Sequence, residues 1–66
     1  MGGWNADIYD QSGLYLESLR GVSFAELKAR VADMKRGERI NFVPPLNAPI
    51  AEIDELERMG ARKTLP

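Results

Sequence analysis

The 66-residue sequence contains neither cysteine nor histidine. Without cysteine there is no disulfide framework of the kind that supports many small secreted domains. Zinc sites built on Cys or His ligands are excluded as well. The Ser–His and Cys–His pairs of nucleophilic enzymes are excluded because the histidine base is missing. The chain therefore lacks the residues on which many common enzyme mechanisms depend.

The sequence also lacks a charge excess, a long apolar run and a leader-like start. Nine Lys and Arg balance ten Asp and Glu, whereas a dedicated polyanion binder needs surplus cations. No stretch approaches 18 consecutive apolar residues, so no transmembrane helix and no membrane association are expected. No basic region followed by an apolar run opens the chain, so no signal peptide is expected. These features predict a protein of the cytoplasm of the producing or host cell.

What the sequence does contain is the composition of a folded domain. Hydrophobic residues make up 44% and charged residues 29%, unlike a disordered chain. A domain of this size buries only ~60% of the surface of its unfolded chain, and its core rarely supplies more than ~3–5 kcal/mol. Support from self-association or from a larger partner is therefore expected.

Residues 4–19 predict a β-hairpin. Asp10-Gln11-Ser12-Gly13 has the composition of a type I turn followed by a bulge, with Gly13 at a positive φ. Counting residues outward from that bulge places Tyr9 opposite Tyr15 and Ile8 opposite Leu16. The same register places two carboxylates, Asp7 and Glu17, opposite each other, which is unfavourable. One face then carries Trp4, Ala6, Ile8 and Leu16. The alternative is a short helix over residues 12–20, ended by Gly21.

Residues 23–36 predict an amphipathic helix. Ser23 and Glu26 form a capping box at its start. Lys35 and Arg36 suit the negative end of the helix dipole, and Gly37 is placed to end the helix. The predicted buried stripe, at spacings of three and four, consists of Phe24, Leu27, Val31 and Met34.

The C-terminal half predicts a strand and a second helix. Residues 39–43, which include β-branched and aromatic side chains, predict a strand that Pro44-Pro45 ends. Asn47 is the expected cap of the second helix and Pro49 a residue of its first turn. The helix ends at Gly60, and residues 61–65 form either a last strand or a tail. The expected apolar face of this second helix consists of Ile50, Ile53, Leu56 and Met59.

The element order predicts one α+β domain over residues 1–66. The predicted order is ββαβα, with or without a final strand. In this arrangement the hairpin and a short sheet pack against two helices. No motif identifies a family. Glu52 and Glu55 share a face of the second helix, but an acidic face near a helix N-terminus is ordinary. Calcium-loop and phosphate-loop patterns are absent. We therefore predict no enzyme activity, no catalytic or metal site and no cofactor.

Basic residues near the middle of the chain support one alternative function. Lys35, Arg36 and Arg39 bracket Gly37 and are candidates for a nucleic-acid-binding patch. The charge of the rest of the chain opposes this interpretation. The net charges of segments 1–19, 20–39, 47–57 and 58–66 are −3, +3, −4 and +3, so an acidic segment lies on either side of the basic segment 20–39. Alternating charge on a near-neutral total suits protein recognition, or association between copies of the chain.

Aromatic residues complete the case for a protein-binding role, because Trp and Tyr are enriched at binding hot spots. The leading hypothesis is a small non-enzymatic regulator or inhibitor that binds a larger protein. Phage- or plasmid-encoded inhibitors, such as anti-CRISPR proteins and antitoxins, are the favoured class. An accessory subunit of a larger assembly is a further alternative. The predicted partner-binding residues are Trp4, Tyr9, Tyr15, Glu52 and Glu55.

Overall fold

The computed structural model describes residues 3–64, which form four strands and two helices. In chain order they are β1 (Trp4–Tyr9), β2 (Tyr15–Val22), α1 (Phe24–Ala32), β3 (Arg39–Val43), α2 (Ile50–Arg58) and β4 (Arg62–Lys63). The predicted α+β architecture is confirmed, with the optional last strand present as β4. Residues 1, 2, 65 and 66 of the predicted domain lie outside the described range, as does the end of the predicted 61–65 segment.

The four strands form one sheet in the order β2-β1-β3-β4. The inner strand β1 is antiparallel to both β2 and β3, and β4 joins β3 in parallel through the α2 crossover. Alternate residues of β1 and β3 are buried on a single face against residues of both helices, so both helices cover that face. The fully buried large side chains are Ile8, Leu27, Val31, Ile40, Phe42 and Leu56.

The hairpin turn has the predicted form. The Gly13 amide donates to the Asp10 carbonyl (3.0 Å), and Gly13 has φ +91°. Asp10 Oδ1 accepts from the Ser12 hydroxyl (2.6 Å) and from the amides of Ser12 and Leu14. The bond from the Ser12 hydroxyl, followed by that from the Leu14 amide, lowers the pKa of Asp10. Tyr9 lies opposite Tyr15 as predicted, and the alternative helix over residues 12–20 is wrong.

A β-bulge corrects the rest of the predicted hairpin register. Ile8 lies opposite Glu17 and Asp7 opposite Ser18, so Leu16 is the extra residue on β2. The predicted pairs Ile8–Leu16 and Asp7–Glu17 are therefore wrong. Leu16 is 45% exposed. The one-residue shift also separates two carboxylates that the simpler register placed opposite one another.

A second bulge lies near the start of β1. Trp4 pairs with Val22 and Ala6 with Leu19, so Arg20 and Gly21 both face the single residue Asn5. Gly21 has φ +64°, which a glycine adopts without strain. Its amide donates to the Asn5 side-chain oxygen at 2.9 Å. The two bulges together place Leu19 and Val22 against the core.

Helix α1 begins as predicted and ends earlier. The Ser23 hydroxyl accepts from the Glu26 amide at 3.1 Å. Leu27 and Val31 are buried, and Phe24 and Met34 pack against the core, which confirms the predicted stripe. The helix ends at Ala32 with Asp33 as its C-cap.

The predicted extension of α1 to residue 36 is wrong because residues 35–38 form a turn. The Glu38 amide donates to the Lys35 carbonyl at 3.0 Å, and the Lys35 amide donates to the Glu38 carboxylate at 3.1 Å. Gly37, with φ +85°, lies within this turn and does not cap the helix. Lys35 and Arg36 consequently lie beyond the helix, in the connection to β3.

Helix α2 begins at Ile50, and Pro49 is its N-cap, so Pro49 precedes the first turn instead of lying in it. Asn47 is not the cap, because it lies in a turn in which the Ala48 amide donates to the Pro45 carbonyl. The predicted end at Gly60 is confirmed. The Gly60 amide donates to the Glu57 carbonyl and the Ala61 amide to the Leu56 carbonyl, which is a Schellman motif.

The apolar face of α2 is narrower than predicted. Leu56 is fully buried, and Ile53 and Met59 pack against the core, but Ile50 is 75% exposed. A strict spacing of three drifts around a helix of 3.6 residues per turn, which carries the first member away from the sheet. Within residues 3–64, neither helix has the length and apolarity required to cross a membrane.

Leu56→Ala and Ile50→Ala form a matched pair on α2. We expect Leu56→Ala to lower the free energy of unfolding by ~2–5 kcal/mol, because it leaves a cavity in the core. Ile50→Ala changes it by less than ~0.5 kcal/mol, because that side chain is already in solvent. Urea unfolding followed by circular dichroism measures both. Equal losses would contradict the described orientation of α2.

Candidate functional site

The sheet has a second face, which points away from the helices and which we call the open face. Strand alternation and the pairing register assign its residues. No element within residues 3–64 covers it, and its side chains are exposed or half-buried. The open face consists of Asn5, Asp7, Tyr9, Tyr15, Ser18, Arg20, Arg39, Asn41, Val43 and Arg62.

Two tyrosines form an ordered aromatic pair on the open face. Tyr9 and Tyr15 lie on neighbouring strands, with ring centroids 6.0 Å apart and an interplanar angle of 68°. This edge-to-face arrangement is a favourable geometry for aromatic rings. Tyr15 is 54% exposed, so much of its ring is accessible. The pair presents apolar area in a defined orientation.

A hydrogen-bond network on the open face holds the Tyr15 hydroxyl in place. The Ser18 hydroxyl donates to Asp7 Oδ1 at 2.6 Å, and the Tyr15 hydroxyl lies 2.7 Å from Ser18 Oγ. Because Ser18 gives its only hydrogen to Asp7, the Tyr15 hydroxyl donates to Ser18. Arg20 donates to the same Asp7 oxygen at 2.9 Å. The Ser18 bond and then the Arg20 bond lower the pKa of Asp7.

The open face carries more positive than negative charge. Arg20, Arg39 and Arg62 accompany the single carboxylate of Asp7, which is paired with Arg20. Arg39 lies opposite Tyr9 on β3, and Arg62 lies beside Asn41 on β4. Neither Arg39 nor Arg62 forms an ion pair with another residue in the described range. Two guanidinium groups without a carboxylate partner in that range therefore lie on the β3–β4 side of the tyrosine pair.

The structure separates the predicted partner-binding residues. Tyr9 and Tyr15 lie on the open face, but Trp4 is only 4% exposed and packs against Phe24 and Phe42 in the core. Its inward alternation on β1 makes it a core residue that does not belong to the open face. Of the three predicted aromatic residues, only Tyr9 and Tyr15 therefore lie on that face.

The two predicted glutamates lie on α2, on the opposite side of the sheet from the tyrosines. Glu55 forms an ion pair with Lys28 of α1, so part of the acidic face connects the two helices. Glu52 is half-buried in the first turn of α2. Neither joins the open face. A partner seated on the tyrosines does not reach these carboxylates without wrapping around the sheet.

The three basic residues of the alternative site are also divided. Lys35 and Arg36 are exposed in the turn before β3, whereas Arg39 lies on the open face beside Tyr9. Of these three residues, only Arg39 therefore lies next to an aromatic side chain, because the strand register pairs it with Tyr9. Arg36 and Lys35 extend the positive region beyond the end of the sheet.

Arg30 was not singled out from the sequence, although it ties three elements together. Its guanidinium donates to Glu17 of β2 at 3.1 Å and to Glu38, before β3, at 3.3 Å. Burial lowers the pKa of Arg30, but the attractions of Glu17 and Glu38 outweigh burial and raise it. These contacts neutralise two carboxylates on the helix side of the sheet.

No protein family, curated protein or solved structure matches the chain. Over residues 3–64, no group of three or more carboxylates is placed to hold a metal ion. The chemistry that the open face offers is stacking and apolar contact from two tyrosines, with hydrogen bonding from arginine and asparagine side chains.

The Asp7 network makes stability depend on pH. Because folding lowers the pKa of Asp7, its contribution is complete well above the ordinary aspartate value of ~3.9 and is lost as pH falls through the lowered value. We expect Asp7→Asn to be less stable than the wild type at pH 7, by less than ~1 kcal/mol since solvent screens this half-exposed pair.

Urea unfolding at pH 7 and at pH 3 measures this difference, which should shrink at the lower pH. Asp54→Asn, an exposed position on α2, is the control and should change stability by less than ~0.5 kcal/mol at both pH values. A difference between Asp7→Asn and the wild type that grew towards pH 3 would contradict the assignment.

Proposed function

We propose that this chain is a small non-enzymatic protein that binds a larger protein through the open face and thereby regulates or inhibits it. The observation that carries the proposal is the uncovered sheet face with its ordered Tyr9–Tyr15 pair. Tyrosine rings are frequent hot spots because they supply large contact area at a small cost in side-chain entropy.

The polar network supports the same proposal. The Tyr15 hydroxyl is held by Ser18 and Ser18 by Asp7, whose Oδ1 also accepts from Arg20. A side chain that is already ordered loses less conformational entropy when a partner binds. The network therefore prepares the tyrosine pair for contact.

The size of the molecule also suits a role as a ligand of something larger. A standard interface buries ~800 Å² on each partner, and the whole described surface is 4599 Å². One interface of that size would engage about a sixth of this surface. Leu14 and Leu16, which are 64% and 45% exposed, adjoin Tyr15 and would extend the contact along the β2 edge.

The proposed class remains that of phage- or plasmid-type inhibitors, such as anti-CRISPR proteins and antitoxins. This choice rests on the small size, the near-neutral net charge and the lack of cofactor motifs in the sequence. An accessory subunit would use the open face in the same physical way. The cytoplasm of the producing or host cell is the proposed place of action.

The capture experiment compares three immobilised baits: the wild type, Tyr15→Ala and Ile50→Ala. Each is exposed to lysate of the producing cell, and retained proteins are quantified by mass spectrometry. We expect at least one protein to be retained at least tenfold less by Tyr15→Ala, because truncating a hot-spot side chain costs ~2 kcal/mol or more. Ile50→Ala, which removes exposed apolar area from the helix side, should retain it fully.

Circular dichroism and thermal unfolding establish that both bait variants are folded. Tyr15→Phe keeps the ring and should recover most of the capture. Identical sets of proteins on all baits would show that the tyrosine pair is not the binding surface.

Nucleic-acid binding is the second candidate, because the register places Arg39 beside Tyr9. A basic residue next to aromatic rings on an open sheet is a combination that binds single-stranded nucleic acid. Lys35 and Arg36 precede the same strand and would extend the path of a phosphate backbone. The near-neutral total charge and the acidic α2 helix favour the protein partner over this alternative.

Fluorescence anisotropy with a labelled oligothymidylate at low salt tests this second candidate. If nucleic acid is the ligand, the wild type binds, and changing Lys35, Arg36 and Arg39 to Ala weakens binding by at least tenfold and flattens its salt dependence. We expect instead no saturable binding at 50 mM salt. A salt-dependent complex at micromolar protein would replace the protein-binding proposal.

A further inference from the structure

A shallow depression lies along the edge where β3 meets β4, and we call it the β3–β4 depression. Its volume is about 180 Å³. It is lined by Glu38, Arg39, Ile40, Asn41, Gly60 and Arg62. The tyrosine pair lies on β1 and β2, so the depression is a separate feature at the β3–β4 edge. Arg39, Asn41 and Arg62 line it from the open face, and Glu38, Ile40 and Gly60 line it from the helix side.

Strand pairing brings its two arginines together across a sequence separation that no local pattern reveals. Arg62 pairs with Asn41 in the parallel ladder, and Arg39 precedes Asn41 by two residues on the same face of β3. The guanidinium groups therefore belong to one side of the sheet, with the Asn41 amide between their backbone positions. Asn41 adds a further hydrogen-bond donor to the depression.

The one carboxylate that lines the depression is already neutralised. Glu38 Oε1 accepts from Arg30 at 3.3 Å and from the Lys35 amide at 3.1 Å, and its side chain is only 10% exposed. Arg39 and Arg62 have no carboxylate partner among residues 3–64. The depression thus holds two exposed cations and no available anion.

We propose that the β3–β4 depression binds a carboxylate side chain in an acidic segment of the protein partner. The assignment of that carboxylate to a protein rests on the function proposed above. Arginine forks suit carboxylates because two parallel N–H groups meet two oxygens. A polyphosphate backbone is disfavoured, because a polyanion binder needs surplus cations and, within residues 3–64, the open face offers only two uncompensated arginines.

The test is an NMR titration of the arginine side-chain Nε–Hε signals with an acetylated tetraglutamate peptide. We expect saturable shifts at Arg39 and Arg62 and none at Arg58, an exposed arginine of α2. Arg39→Gln and Arg62→Gln should each weaken binding by about fivefold. Arg58→Gln, the matched control, should weaken it by less than twofold. Tetraglutamine should cause no shift.

Three results would overturn the carboxylate site. They are the absence of saturable shifts, equal shifts at Arg58, and tighter binding of an eight-residue oligothymidylate than of tetraglutamate. Backbone amide spectra of each variant establish that it is folded. The titration needs no natural partner, so its failure leaves the tyrosine capture result standing. Conversely, consider the case in which tetraglutamate saturates Arg39 and Arg62 while the Tyr15→Ala bait retains the same proteins as the wild type. That pair of results would overturn only the proposed function.

Discussion

The fold depends on the pairing of β1 on both of its edges. This six-residue strand is antiparallel to β2 and to β3, so its backbone groups are committed to the sheet on either side. Its inward residues are Trp4, Ala6 and Ile8, each almost fully buried. Because strand side chains alternate strictly, that commitment also directs Asp7 and Tyr9 to the opposite face. One strand thereby creates both the core and the surface proposed to bind a partner.

The remaining elements follow from the limited length of the chain. Two nine-residue helices are enough to cover one face of a four-stranded sheet, and both pack on the side of Trp4 and Phe42. The opposite face is left mainly to polar and aromatic residues, which tolerate solvent. Charge is divided along the same boundary, since α2 carries four of the ten acidic residues and the open face carries three arginines. A small domain with one covered sheet face and one open face is suited to completing its burial against another protein.

Local patterns predicted the elements and the turn, because their causes are local. The Asp10–Gly13 turn, the Ser23 cap and the Gly60 terminus each depend on neighbouring residues, and each has the predicted form. Features set by tertiary contacts were not predictable in this way. The Leu16 bulge and the early end of α1 depend on cross-strand and interhelical packing, whereas the position of Trp4 on the face of Ala6 and Ile8 follows from strand alternation. Arg62 joined the site only because the α2 crossover returns the chain beside β3, and no spacing in the sequence indicates that register.

The most direct test of the two-faced sheet is hydroxyl-radical footprinting of the free protein and of its complex with a captured partner. Oxidation rates at Trp4, Tyr15 and Met59 report the core, the open face and the helix side. The account predicts a slow rate at Trp4 in both states, and a fast rate at Tyr15 that falls severalfold in the complex while Met59 is unchanged. An unchanged Tyr15 rate together with protection of Met59 would place the interface on the helices and contradict the account.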